Sequence, residues 1–293
     1  MAEASIGIVG LGLVGRALAT RLRAQGWHPV GFDIRPEATA AFAQEGGSVA
    51  ASLGELGMLV PCVLLAVFDT RGVLEVLEGE HGLLSPGHEV RTVIDCSTGD
   101  PELLEALAER LRARGIALVE SPLSGSSQQI EAGEATALVG GAEADVQACA
   151  PLLRAISGNA IHVGAAGMGA KAKLATNLVL GLNRAVLAEG MAFAEALGIA
   201  PERFLQLVLA TPARSDAALV KGPLMVSEDF APRSRIRQHL KDVDLMLQGA
   251  AQAQLALPFS ELHARLLHEA VAAGEGDLDN AAIVRRLRRR PAE

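Results

Sequence analysis

Tyrosine is absent from this 293-residue chain, tryptophan occurs once and phenylalanine seven times. That scarcity excludes a surface that reads nucleic acid by stacking bases on aromatic rings. Positive charge is also in deficit: 26 Lys and Arg face 34 Asp and Glu, for a formal net charge of -8. Affinity for a phosphate backbone rests on Lys and Arg, so no nucleic-acid partner is expected. Cysteine is limited to Cys62, Cys96 and Cys149, too widely spaced for a metal or redox pair. Each reads as a small buried hydrophobe in a reducing compartment. The histidines show neither HxH nor HExxH spacing, and no metal site is expected. No uncharged apolar run reaches about 18 residues, and MAEASIGIVGLG lacks the basic start and cleavage site of a signal peptide. The expectation is a cytoplasmic protein with no membrane segment. Lysine is the least expected shortage: Lys171, Lys173, Lys221 and Lys241 are the only four among the 26 basic residues. A lysine at a suggestive place in such a chain is not readily dismissed as background.

What is present is ample core material. Half of the residues are hydrophobic and 20% are charged, which excludes disorder and low complexity, and the length suggests two domains. Through about residue 160, strand-length apolar runs cover Ser5–Val9, Pro29–Asp33, Cys62–Val67, Thr92–Asp95, Ile116–Val119, Thr136–Val139 and Ala160–Val163. Helical periodicity over Leu13–Gln25, Pro36–Gln44, Pro101–Arg114 and Glu143–Ile156 alternates with them. The alternation predicts βαβ units and a parallel sheet covered on both faces. After Gly164 the strands stop. A continuous helix is predicted over 170–197, weakened only at Gly181 and Gly190, then helices over 201–210, 215–225, 235–254 and 259–273. The boundary falls near 164, giving an α/β domain over 1–163 and an all-α domain over 164–293. Long apolar faces in the helical half predict a homodimer or homotetramer. The five arginines within 285–290 read as a solvated, fraying helix end, and Asp242 and Asp244 as surface or interdomain carboxylates.

Gly10-Leu11-Gly12-Leu13-Val14-Gly15 follows the first strand and opens the first helix. Gly10 permits a tight turn, Gly12 lets backbone approach a pyrophosphate, and Gly15 lets the helix lie against the strand. The helix N-terminus then offers its free N–H groups to phosphate. Asp33, 23 residues beyond Gly10, ends the second strand. A carboxylate there accepts hydrogen bonds from ribose hydroxyls and repels a 2′-phosphate, so NAD is expected. Arg35, beyond Ile34, leaves NADP open. Lys173 and Asn177 lie four residues apart and project from one helix face. Lys173 either snorkels to solvent or sits in a polar pocket, where desolvation and a nicotinamide charge would lower its pKa toward proton transfer. Ser121-Pro122-Leu123-Ser124-Gly125-Ser126-Ser127 follows a strand and is either an ordinary turn or a cradle for a carboxylate or hydroxyl.

With Asp95-Cys96-Ser97-Thr98 and Pro101, Gly167-Met168-Gly169, and Lys241-Asp242, these motifs stand in a telling order. Over nearly its whole length the chain resembles the β-hydroxyacid dehydrogenase family, which includes 3-hydroxyisobutyrate dehydrogenases, tartronate semialdehyde reductases and glyoxylate/succinic semialdehyde reductases. The resemblance implies an α/β Rossmann N-terminal domain and an all-α C-terminal domain, joined by a long interdomain helix. It implies hydride transfer between NAD or NADP and a small 3-hydroxy acid or its semialdehyde. Lys173 matches the family's catalytic lysine, Asn177 its substrate-orienting asparagine, and Ser124, Gly125 and Ser126 its substrate loop. Ala66, Val67, Phe68, Ser97 and Thr98 match positions lining the cofactor, and Lys241 a lysine at the nicotinamide end. Imine reductases and non-catalytic nucleotide sensors share the scaffold and stand as alternatives, but usually lack the lysine kept here at 173. The chain departs from the family at Glu120 for aspartate, Ser126 for a second glycine and Thr176 for a first asparagine. Phe68-Asp69 also replaces a proline-containing turn. These departures bear on the substrate more than on the reaction.

Overall fold

The computed structural model describes residues 5–288. The chain divides into two compact units, Met1–Lys173 and Leu174–Glu293.

The first unit is organised by nine strands among the described residues: β1 (Ser5–Val9), β2 (His28–Phe32), β3 (Ser48–Val49), β4 (Cys62–Leu65), β5 (Thr92–Asp95), β6 (Ala117–Glu120), β7 (Leu123–Ser124), β8 (Thr136–Gly140) and β9 (Asn159–Gly164). They lie in the order β3-β2-β1-β4-β5-β6-β8-β7, with β9 beside β8. The helices are α1 (Leu13–Ala24), α2 (Pro36–Gln44), α3 (Leu53–Leu59), α4 (Thr70–Glu78), α5 (Pro101–Ala113), α6 (Ser127–Ala132), α7 (Glu143–Ala148) and α8 (Ala150–Ile156). Successive residues of one strand feed different cores, as a period of two requires. In β4, Leu64 packs with Ile8, Leu18 and Ile94, while Val63 and Leu65 pack with Val73, Leu104 and Leu107. β1, β4, β5, β6 and β8 are short and largely apolar because both faces are covered, whereas the edge strands β3 and β9 are exposed.

β1 through β6 pair in parallel as expected, but the far edge does not. β8 runs antiparallel to both β6 and β7, and β9 then pairs parallel to β8. The six-residue α6 is the reason: at about 1.5 Å per residue it cannot carry the chain back along the sheet for a parallel return. The helix expected over Glu143–Ile156 is broken into α7 and α8 at Cys149. Pro151 has no N–H for an intrahelical bond and sits instead in the first turn of α8.

α9 (Met168–Ala196) is one unbroken helix, and both of its weak points have packing reasons. A Cβ at Gly181 would strike the His239 imidazole, and one at Gly190 would crowd the Phe204 ring. The second unit continues with α10 (Pro201–Leu209), α11 (Asp216–Ser227), α12 (Ile236–Gln252), α13 (Pro258–Ala272), a 3-10 turn (Asn280–Ile283) and α14 (Val284–Arg288). Its apolar core runs through Leu187, Met191, Met225, Ile236, Val243, Leu267 and Ile283. Among the described residues, no helix is long and apolar enough to cross a membrane.

Charge inside this unit is organised by Asp279, which has no exposed surface. Its carboxylate accepts both contacts of Lys221 Nζ, at 2.8 and 2.9 Å. It also accepts the backbone N–H groups of Arg233, Ser234 and Ala281. Burial pushes the Lys221 ammonium below its ordinary pKa, and Asp279 pulls the other way. The C-terminal arginines correct the expectation of a solvated end. Arg286 pairs with buried Glu275, and Arg288 bridges Glu195 and Glu228. Arg285 lies over the Phe230 ring. Arg289 and Arg290 lie outside the described residues.

Removing one partner of a buried pair strands the other. Lys221→Met is therefore expected to lower unfolding stability by about 3–5 kcal/mol, read from urea melts. A loss under about 1 kcal/mol would mean that the three backbone donors satisfy Asp279 alone.

Candidate active site

In the first unit, the strand order reverses direction between β1 and β4, the position where open α/β sheets bind ligands beyond their strand ends. The glycine loop lies there. Gly10 has φ +93, and a Cβ on it would run into the Ala66 carbonyl after β4. A Cβ on Gly15 would run into the Gly10 carbonyl, so only glycine lets α1 press this closely on β1. Gly12 caps α1 without any side-chain hydrogen bond, and no acidic residue stands in the first turn. The N–H groups of that turn, at Leu13 and Val14, are thus open to an anion. Residues and backbone here fit a dinucleotide pyrophosphate.

Asp33 follows β2. Its carboxylate accepts the Leu11 N–H at 2.8 Å and the Arg35 N–H at 2.9 Å. The Arg35 guanidinium binds it twice, at 3.0 Å each. Burial works to raise the Asp33 pKa, but the bonds from Arg35 and Leu11 outweigh it and hold the group below the usual carboxylate range. The same guanidinium reaches to within about 4 Å of where a Gly12 Cβ would be, so it overhangs the glycine loop. Ile34 between them is 82% exposed, an apolar face left open beside the loop.

The other predicted cofactor positions also follow strand ends. The Ala66 N–H bonds to Val9 and extends β4, and the Val67 N–H bonds to Ser97 Oγ at 3.1 Å. Ser97 in turn donates its N–H to Asp95, so Ser97 braces the two loops against each other. Thr98 is partly buried and Phe68 is 47% exposed. Asp69 explains why no proline turn is needed there: its carboxylate caps α4 by accepting the Gly72 N–H at 2.8 Å.

β6 ends at Glu120, which is buried. Its carboxylate accepts the N–H groups of Gly167 and Ala170, capping the start of α9. Burial raises its pKa, and those two N–H groups oppose the rise. A Cβ at Gly169 would press on this carboxylate, which accounts for the second glycine of Gly167-Met168-Gly169. Lys173 lies one turn into α9, is 7% exposed, and donates to the Leu123 carbonyl at 2.7 Å. That carbonyl belongs to the residue before Ser124. Lys173 is therefore a buried lysine, not a snorkelling one. Lys171 points away and pairs with Glu105 at half-exposed positions. Gly125 packs on Ala135 too closely for a side chain. Ser126 is committed to a capping box with Gln129 that starts α6.

Three residues of the second unit stand together. Asn177 Nδ2 donates to Asp242 Oδ2 at 2.8 Å, and Lys241 Nζ lies 3.0 Å from Asp242 Oδ1. Sequence reasoning offered Asp242 as a helix-surface or interdomain carboxylate; at 4% exposed it is not a surface one. Its 65-residue separation from Asn177 left no local signal. Asp244, by contrast, is exposed as expected. The cysteines are all free, and burial pushes the Cys62 thiol up to about 12. Among the described residues, no three His, Cys, Asp or Glu side chains gather to hold a metal ion.

A phosphate cradle of glycines at the switch point of a doubly wound sheet, with an uncapped helix N-terminus behind it, defines a dinucleotide-binding scaffold. Residues 5–164 match the family described as the NAD binding domain of 6-phosphogluconate dehydrogenase. Residues 167–287 match the one described as NAD-binding of NADP-dependent 3-hydroxyisobutyrate dehydrogenase. L-threonate dehydrogenase of Cupriavidus necator is 30% identical over 282 residues, 96% of this chain and 95% of that protein. The 2-hydroxy-3-oxopropionate reductase of Escherichia coli is 29% identical over 96% of each chain. A solved 3-hydroxyisobutyrate dehydrogenase from Salmonella typhimurium is similar with a TM-score of 0.85 at 28% identity, over 97% of this chain and 99% of that one. The chain belongs to the β-hydroxyacid dehydrogenase family and is an NAD(P)-dependent oxidoreductase of CH–OH groups.

Gly15→Ala is expected to push α1 off β1 and weaken cofactor binding at least tenfold, read by nicotinamide fluorescence titration. An unchanged Kd in a folded variant would show that the loop does not hold the pyrophosphate.

Proposed function

We propose that the protein oxidises a small 3-hydroxy acid, or reduces its semialdehyde, as a 3-hydroxyisobutyrate dehydrogenase-like enzyme with Lys173 as its acid and base. One observation carries the reading: Lys173 is buried, and its ammonium meets the backbone of the Ser124 loop at Leu123. When bound, the nicotinamide supplies or accepts the hydride. Lys173 as the neutral amine takes the hydroxyl proton at Nζ during oxidation, and as the ammonium gives it back during reduction. The Leu123 carbonyl fixes the direction of that ammonium, so proton transfer starts from a set geometry. Ser124 and the Gly125 backbone hold the substrate carboxylate, and Ser126 contributes through the helix start it caps. Asn177, one turn beyond Lys173 on the same helix face, orients the hydroxyl carbon.

Residues 1–163 form the dinucleotide-binding domain of this reading and residues 164–293 the substrate and dimerisation domain. NAD is the preferred cofactor, because Asp33 repels a 2′-phosphate. Arg35 offsets that repulsion and lets NADP bind more weakly. Leu11, Ile34, Ala66, Val67, Phe68, Ser97 and Thr98 line the cofactor, and Lys241 serves its nicotinamide end. The protein works as a homodimer or homotetramer. Val179, Val186 and Phe193 recur every seven residues along α9, each more than half exposed, and Leu197 continues the stripe. A second copy of the chain is the occupant that such a heptad spacing suits.

Lys173→Ala is expected to lower kcat by 10²–10⁴-fold on the best of a panel of 3-hydroxy acids and semialdehydes, with cofactor Kd unchanged. Turnover that survives the substitution would remove Lys173 as the acid and base. Arg35→Ala is expected to raise KM for NADP at least tenfold and to move KM for NAD less than about threefold. Equal shifts for both cofactors would contradict the role given to Arg35.

A further inference from the structure

Asp242 sits on α12, and consecutive residues on a helix point about 100° apart. The Lys241 stem must therefore curl along the helix for its ammonium to come within 3.0 Å of Asp242 Oδ1. A second cation acts on the same carboxylate. Arg184, seven residues after Asn177 on α9, is buried. Burial lowers its pKa to about 10, while Asp279 and Asp242 pull the other way. A carboxylate set among cations can only accept hydrogen bonds. The Asn177 amide carries two N–H donors and a carbonyl acceptor, and one donor is engaged: Nδ2 donates to Asp242 Oδ2 at 2.8 Å. That bond fixes which way the amide faces. A neutral residue at 242 could present either polarity and would let the amide turn over.

We infer that Asp242 is a positioning residue: it holds the Asn177 amide in one orientation and tethers Lys241, so that substrate meets a fixed Asn177. The inference rests on the reading above that Asn177 touches the substrate.

Two readouts test this. The first is steady-state kinetics on the hydroxy acid that the intact enzyme turns over best, for Asp242→Ala, Asp242→Asn, Asn177→Ala and the double Asp242→Ala/Asn177→Ala variant. Asp242→Ala is expected to raise KM for the hydroxy acid on the order of 10- to 100-fold with a much smaller change in kcat. The double variant is expected to be no worse than Asn177→Ala alone, since Asp242 acts through Asn177. Asp242→Asn retains an acceptor and should fall between. Cofactor Kd, followed in parallel, separates the effect on Lys241. Additive losses in the double variant, or unchanged KM in a folded Asp242 variant, overturn the inference. The second readout needs no activity. In ¹H–¹⁵N spectra the Asn177 side-chain NH₂ pair, assigned by its loss in Asn177→Ala, should exchange slowly in the intact protein and faster in Asp242→Ala or Asp242→Asn. Equal exchange overturns the inference as well. If the intact protein turns over none of the hydroxy acids, the proposed function fails, and the exchange data alone decide the role of Asp242.

Discussion

The chemistry proposed for this chain depends on where α9 begins, and one buried carboxylate sets that point. Glu120 ends β6 and takes the N–H groups of Gly167 and Ala170. Both would otherwise be orphaned at a helix start. Burying a carboxylate is costly, as its raised pKa records, and the two donors with the positive end of the helix offset that cost. The same contact fixes the first turn of α9, within the first unit, against the strand end from which the Ser124 loop departs. Lys173 then reaches the Leu123 carbonyl instead of solvent. The family resemblance implies aspartate at this position; the extra methylene of glutamate is accommodated because Gly169 has no side chain to obstruct it.

Glu120 is one of several carboxylates that gather donors away from water. Asp33 collects the Leu11 and Arg35 N–H groups and the Arg35 guanidinium beside the phosphate loop. Asp279 collects Lys221 and three backbone N–H groups inside the helical unit. Each converts a flexible loop or helix end into a fixed point, which short elements such as the two-residue β3 and β7 cannot do for themselves. Lysine scarcity now has a distribution. Lys221 is spent on structure, Lys171 on an exposed ion pair, and Lys173 and Lys241 on polar contacts at the proposed site.

Much of this was legible in the sequence. Ser5–Val9, Pro36–Gln44 and Thr92–Asp95 are strands and a helix with the bounds that apolar periodicity alone predicts. The glycine loop was legible because each glycine has a separate steric reason, and α9 because twenty-nine residues of helical texture are hard to mistake. α3, α4 and α6 were not: they are equally short or shorter and lack the first-turn proline that marks α2 and α10. The antiparallel β8 was missed because strand direction depends on connection length, not on strand composition. At the site, residue types and spacing indicated Lys173 and Asn177, whose helical spacing is local. Their partners were invisible for the opposite reason: Leu123 and Asp242 lie 50 and 65 residues away, and one of them acts through its backbone.

The central claim is that Lys173 Nζ moves the substrate proton, and chemical rescue tests it most directly. Small primary amines of graded pKa are added to Lys173→Ala enzyme saturated with cofactor and hydroxy acid. The account predicts that turnover returns with amine concentration and rises with amine basicity. Bound cofactor and substrate with no rate response to any amine would contradict it.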